Sequence, residues 1–296
     1  MIDPVLLRGR DRFERVVEGW VDNTHADAFT HTVRLEDEDL GVELSAVATP
    51  SPAYEIREAR YRLRPATAGA LAPAPAPVPG LAGARMVGGF TRRAGEAVGG
   101  LPGAGHLVDA AIEVARLARQ VAKLPPERAA RAAAGPWECW RLDMTGWVDL
   151  PNSCFAYSDA GRALFGSRAV TTPILPDLYS PPPGATRVFV RRKTARLERR
   201  GARLALFNSM HDNVHGFEIR YEVDLATGVI VAAESCTPRL PYLGICTEPQ
   251  ARIASLVGQA VDHDLRKRMQ ALVGGTAGCA QLYDLTADLL RLLRLY

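Results

Sequence analysis

Alternation of apolar and polar residues marks FEIRYEVD (217–224) as a strand, and the Ala226-Thr227-Gly228 turn that joins it to the β-branched run VIVAAESC (229–236) predicts a β-hairpin. A longer hairpin, RVFVRRKTARLERRGARLALFN (187–208), precedes it and turns near Arg200-Gly201. In the last fifth of the chain the period becomes helical, with Leu282, Leu285, Leu289, Leu292 and Leu293 on one face. The same plan occurs earlier, with Leu107, Ala111, Val114, Leu117 and Ala118 as the apolar stripe. A Gly-Gly stop and a turn ending in Gly103 or Gly278 precede each helix.

The likeness extends to residue identity. Val98–Leu117 laid over Val273–Leu292 without a gap shares eight of twenty residues, among them Gly103/Gly278, Leu107/Leu282, Asp109/Asp284 and Arg116/Arg291. Upstream, Phe29–Tyr54 lies over Phe217–Tyr242, matching Phe29/Phe217, Thr49-Pro50/Thr237-Pro238 and Tyr54/Tyr242. The expected fold is therefore α+β, a tandem duplication of an antiparallel-sheet-plus-helices unit packed as a pseudo-dimer. Residues 1–122 form the first repeat, residues 123–136 a linker, and residues 137–296 the second repeat. The Pro/Ala-rich run at 65–80 reads as a polyproline-like excursion outside the core.

Composition narrows the field. The chain has 296 residues, 47% hydrophobic and 23% charged, with a formal charge of +3, which fits a globular protein with no footprint for a phosphate backbone. Nucleic acid is not an expected partner. The opening residues carry charges throughout and form neither a signal peptide nor a membrane span, so a cytoplasmic protein is expected. Arginine far outnumbers lysine amid much Ala, Pro and Gly, a bias of GC-rich bacterial genomes. Cys139, Cys154, Cys236, Cys246 and Cys279 contain no C-x-x-C pair and read as free thiols.

In the second half, PYLGIC, ARIASLVG, LVGGTAGC and LYDLTADLL resemble the signature of the bacterial family "domain of unknown function 2889". That pattern runs roughly Pro-Tyr-x-x-Cys, Leu-x-Gly, Gly-Gly-x-x-Gly-Cys-x-His-Leu. Gln281 stands at the family's His, and the spacing from Tyr242 to Cys246 is one residue longer. The first half resembles a degenerate copy, with His106 at the His position and Ala104 where Cys279 stands. More distantly, the strands followed by Cys246 and Cys279 at helix starts resemble the iron–sulfur scaffold fold of the NifU/IscU type. That likeness implies a metal ion or an iron–sulfur cluster as cofactor, whereas the residues themselves firmly imply none.

Candidate chemistry centres on Cys246, ahead of Thr247-Glu248-Pro249, and Cys279, ahead of the last helix. Both are expected at helix N-termini, where unpaired N–H groups favour a thiolate, with Tyr242 close by. The competing reading makes them small buried hydrophobes. His211 and Asp212 in NSMHDNVHGF are further catalytic candidates, and His215 joins Cys246 and Cys279 in the metal reading. Against this, Asp212 and Asn213 could simply cap a turn. Asp22, His25 and Asp27 occupy a similar polar stretch in the first half. The arginines from Arg187 to Arg203 could hold an anion or a coenzyme A ester, or could be a solvated face.

No dinucleotide, P-loop, serine-hydrolase or zincin motif is present. The expected function is a cofactor-light enzyme, lyase-, isomerase- or cyclase-like. It would act on a small apolar organic or acyl substrate in a cleft of the second repeat or between repeats. A metal- or cluster-binding scaffold-like protein and a non-catalytic small-ligand binding protein are the alternatives. The expected partner is a small molecule, with no membrane, in a chain that is its own pseudo-dimer.

Overall fold

The computed structural model describes residues 4–64 and 73–293. Nine antiparallel strands form one sheet: β1 (Arg12–Asp22), β2 (Phe29–Asp37), β3 (Gly41–Ala48), β4 (Ile56–Arg64), β5 (Ala76–Pro77), β6 (Phe189–Arg200), β7 (Arg203–Asp212), β8 (Gly216–Asp224) and β9 (Ile230–Arg239). Their order is β5-β4-β3-β2-β1-β6-β7-β8-β9. Each half of the chain thus supplies a four-stranded meander, and the two meanders meet where β1 pairs antiparallel with β6. An α+β architecture on a large antiparallel sheet is what the alternation required.

Helices cover one face. The principal ones are α1 (Phe90–Val98), α2 (Ala104–Leu117), α3 (Pro126–Ala129), α4 (Pro136–Gly146), α5 (Asp159–Ala163), α6 (Leu265–Leu272) and α7 (Ala280–Leu292). Helix α2 lies on β1, β2 and β3, and α7 lies on β6, β7 and β8. Their buried stripes, Leu107, Ala111, Val114 and Leu117 in one and Leu282, Leu285, Leu289 and Leu292 in the other, meet the inward residues of the strands. At Gly19 of β1 an added Cβ would stand 2.8 Å from a Leu117 methyl, so a larger residue there would make the Leu117 side chain shift.

The other face is polar and carries most of the arginines singled out between 187 and 203. Arg34 and Arg187 lie over the Trp20 ring, Arg196 and Arg220 over that of Phe207. Arg187 and Arg196 are ion-paired with Glu18 and Glu14. Of that run, only Arg191 and Lys193 are cationic side chains turned into the core.

Two expectations change. The segments Phe29–Tyr54 and Phe217–Tyr242 are β2–β3 and β8–β9, which hold different ranks counted outward from the β1–β6 junction. Their shared Phe, Thr-Pro and Tyr therefore do not mark corresponding hairpins. The rank-matched strands are β2 with β7 and β3 with β8. Part of the Pro/Ala run, residues 65–72, lies outside the described residues. Its remainder is not a free excursion: β5 pairs with β4, and Val78 and Leu81 are buried against the sheet, because burying them is worth more than leaving them in water.

The matched residues Asp109/Asp284 and Arg116/Arg291 form reciprocal ion pairs between α2 and α7. Arg116 Nε donates to Asp284 at 3.0 Å, and Arg291 donates to Asp109. Beneath them, at the centre of the sheet, Val17 pairs with Lys193. The Lys193 ammonium donates to Glu113 of α2 at 3.0 Å and to Asp288 of α7. Lys193 and Glu113 are buried, while Asp109, Asp284, Asp288, Arg116 and Arg291 are partly exposed.

Lys193→Met is expected to cost about 3–5 kcal/mol of stability, because it leaves Glu113 and Asp288 buried with one cation fewer. A urea denaturation curve reads the loss directly. A change below about 1 kcal/mol would show that the seam contributes no more than a surface pair.

Candidate functional site

A cavity of about 250 Å³ lies between the helix layer and the inner face of the second meander. Arg116, Arg119 and Gln120 from the α2 region form one wall. Asp143 of α4, Trp147, Tyr157, Tyr179, His215 and Phe217 form the rest, with the thiols Cys154, Cys246 and Cys279.

The best-defined element is the tight turn from β7 to β8. Asp212 ends β7 with its side chain turned inward, and its Oδ1 accepts the backbone N–H groups of Val214 at 2.8 Å and His215 at 2.6 Å. The capped turn anticipated from sequence is therefore present, but it also does something more. Oδ2 accepts Arg191 Nε at 2.9 Å, and His215 Nδ1 lies 3.1 Å from Oδ1. A carboxylate with no exposed surface can only accept, so the network assigns a proton to the imidazole Nδ1. Burial alone would raise the Asp212 carboxyl; the charges of His215 and Arg191 and the hydrogen bonds from His215 outweigh it and hold the group far below the usual carboxylate range.

Asp143 is shifted the other way. It is buried on α4 and accepts three phenols: Tyr179 at 2.7 Å, Tyr157 at 2.8 Å, and Tyr242. Burial pushes its carboxyl up to about 6, against the lowering effect of those donors and of His215 nearby. The same burial raises all three tyrosines, so they remain donors at neutral pH. Asp143 and the imidazole of His215, which Asp212 holds from behind, thus border one cavity, an arrangement that suits acid–base work.

The thiols behave differently from expectation. Cys279 does stand at the N-terminus of α7, and the N–H groups of Leu282 and Gln281 favour its thiolate, but burial outweighs them and pushes it up to about 11. Cys246 precedes a 3-10 helix, Glu248–Leu256, which Thr247 does not cap. Burial, with Cys154 and Cys279 beside it, drives that thiol well above its ordinary value. Cys246 and Cys279 line one cavity, but as thiols held away from ionisation. A helix end contributes at most ~2 kcal/mol, less than full desolvation of a thiolate.

Tyr242 is fully buried behind Asp143 and is not part of the cavity wall. His211 is removed from the site altogether. It precedes Asp212 on β7, so the pleat turns it to the opposite face, half exposed, with Glu218 3.9 Å away. His215 shares the cavity with Cys246 and Cys279, yet among the described residues no group of three or more His, Cys, Asp or Glu side chains is arranged to hold a metal. In the first half, His25 and Asp27 lie in the β1–β2 connection, where Asp27 pairs with Arg57.

Sequence reasoning missed Asp143 and Arg191. Asp143 carries no motif signal, because its character comes from three tyrosines supplied by separate segments. Arg191 was hidden in an arginine run, where only strand alternation distinguishes the inward position.

The Asp143 shift has a signed consequence. Its folded value of about 6 exceeds the ~3.9 of an unfolded chain, so the stability from its neutral form is complete below about pH 4 and lost as pH rises through 6. Asp143→Asn is expected to flatten stability between pH 4 and 6, where the parent loses about 3 kcal/mol on this account. Equal slopes in urea midpoints for both proteins would refute the shift. For the thiols, a disulfide reagent at pH 8 is expected to modify exposed Cys236 at least about a hundredfold faster than Cys246 or Cys279 in the native protein.

Residues 197–293 match the model of a family described as "Protein of unknown function (DUF2889)". The matched segment runs from the middle of β6 to the end of α7 and contains Asp212, His215, Cys246 and Cys279. No curated protein and no solved structure matches the chain, so the NifU/IscU-type likeness gains no support from known structures.

Proposed function

We propose that the protein is a cofactor-light acid–base catalyst, of the lyase or isomerase type, acting on a small, neutral, largely apolar organic or acyl compound bound in the 250 Å³ cavity. One observation carries the reading. An imidazole held by a buried carboxylate and a carboxyl raised to about 6 border the same enclosed, mostly apolar space. In this reading His215 Nε2 takes a proton from the substrate, and Asp143, within its cage of phenols, holds or returns one. The buried indole N–H of Trp147 has no partner and is available to a substrate oxygen. Neutrality follows from charge. Among the described residues of the wall, Arg116, Arg119 and Arg191 are each paired with a carboxylate, Asp284, Asp149 and Asp212, which disfavours an anionic ligand.

The same proposal includes the origin of the site in a duplicated chain. Its support is the mirrored strand order about β1–β6, the reciprocal Arg116–Asp284 and Arg291–Asp109 pairs, and a repeated cross-strand motif. Arg15 of β1 lies opposite Asp37 of β2 and holds it, as Arg191 of β6 holds Asp212 of β7, and each Asp binds a histidine, His106 or His215. Reciprocal contacts of this kind are what a twofold interface produces. The halves then differ in function: the cavity beside Arg15 is only about 40 Å³, enough for water, so the working cleft is single.

The test is deuterium exchange from D₂O into a panel of neutral ketones, enones and short thioesters, followed by proton NMR. Exchange is expected with some members of the panel, falling about 10²–10⁴-fold in His215→Gln and in Asp143→Asn. Compounds that raise the melting temperature but exchange no proton would instead favour a non-catalytic ligand-binding protein.

A further inference from the structure

We infer that Arg191 and Glu113 are positioning residues for His215, so that the first half of the chain, through α2, governs the imidazole in the second half. The catalytic meaning of this link rests on the proposed function; the link itself rests on geometry. Glu113 of α2 accepts Lys193 Nζ at 3.0 Å and Arg191 Nη1 at 3.3 Å. Arg191 then donates from Nε to Asp212 Oδ2 at 2.9 Å, and its guanidinium forms a close ion pair with that carboxylate. Asp212 in turn holds His215 through its imidazole Nδ1 and its backbone N–H. The side chains of Arg191, Glu113 and Asp212 are at most 4% exposed. Water therefore screens little along the chain, and the arrangement has few alternatives.

Arg191 spans two carboxylates at once: Nε takes Asp212 Oδ2, which leaves Oδ1 to the turn and the imidazole, while Nη1 takes Glu113. Glu113 accepts Nη1 of the same guanidinium, so α2 and Asp212 hold Arg191 between them where it lines the cavity. Other charged groups bear on His215: Asp143 from α4, Asp284 of α7 on the same cavity wall, and Arg239 of β9, which donates to the Asp212 backbone carbonyl.

The signs differ along the chain, and this makes the inference testable without a substrate. Removing the Glu113 charge leaves Arg191 less neutralised and disfavours the imidazolium. Removing the Arg191 charge leaves Asp212 to be neutralised by His215 alone and favours it. In histidine-detected NMR titrations, Glu113→Gln is expected to lower the His215 pKa by about half a unit and Arg191→Met to raise it by about one unit or more. Glu113→Asp, which retains the charge, is expected to stay within about 0.2 unit of the parent. His106, held by Asp37 and Arg15, is an internal reference expected to stay put in both Arg191→Met and Glu113→Gln. If Arg191→Met does not fold, the Glu113→Gln and Glu113→Asp pair decides. An unmoved His215 in folded Glu113→Gln, or shifts of the same sign in Glu113→Gln and Arg191→Met, overturns the inference. Opposite shifts in a protein that exchanges no proton with any carbonyl probe would keep the positioning role and remove the proposed catalysis. Proton exchange with an unmoved His215 would do the reverse.

Discussion

The structure depends on a buried seam of charge where β1 meets β6 and α2 meets α7. Lys193, Arg15, Arg116, Arg191 and Arg291 there face Asp109, Glu113, Asp284 and Asp288. An apolar seam would be at least as stable, since desolvating each ion costs several kcal/mol that pairing only just offsets. What the charges add is register. A slip of one residue between β1 and β6 would turn Arg191 and Lys193 to the solvent side and strand Glu113 and Asp288 without partners. Apolar packing tolerates small shifts of a helix over a sheet; reciprocal pairs such as Arg116–Asp284 and Arg291–Asp109 do not.

That fixed register is what makes a precise site possible at the edge of the seam. Arg191 belongs to both: it ends the row of ions that joins the halves, and it clamps the carboxylate that orients His215. The opposite shifts of Asp143 and Asp212 follow from what surrounds each. Asp212 has a guanidinium and an imidazole within bonding distance, so its charged form wins despite full burial. Asp143 has only neutral phenols as direct partners, which temper the cost of desolvation without cancelling it. Identical side chains at comparable depth are thereby given very different affinities for a proton.

Much of this was legible in the sequence. Period-two and helical patterns located β6 to β9, α2 and α7, and the repeated Asp-x₆-Arg spacing marked residues that turn out to contact each other. Its meaning was not legible, because a shared residue in two copies looks the same whether it fills a core or bridges an interface. The mistaken pairing of Phe29–Tyr54 with Phe217–Tyr242 has a similar cause: hairpins of one meander resemble one another, and rank within the sheet is a tertiary property. Asp143 with its tyrosines was invisible, since Tyr157, Tyr179 and Tyr242 come from three segments with no common spacing. His211 was wrongly grouped with Asp212 because adjacency in sequence is separation by a whole sheet in a strand.

The thiols show how magnitudes decide between two correct observations. Cys279 does face the N–H groups of a helix start, and Cys246 and Cys154 do share its cavity, yet burial outweighs the helix end at Cys279. Cys154 also raises both Cys246 and Cys279, and Cys279 raises Cys246, because ionising one places a charge beside another in a poorly screened space. Thiols so discouraged from ionising are a poor nucleophilic site and a good apolar lining. They fill the cavity wall with polarisable, nearly non-hydrogen-bonding surface and leave the proton-bearing chemistry to His215 and Asp143. A neutral substrate fits this division of labour: it meets apolar sulfur and aromatic surface on most sides, and ionisable groups only where a proton must move.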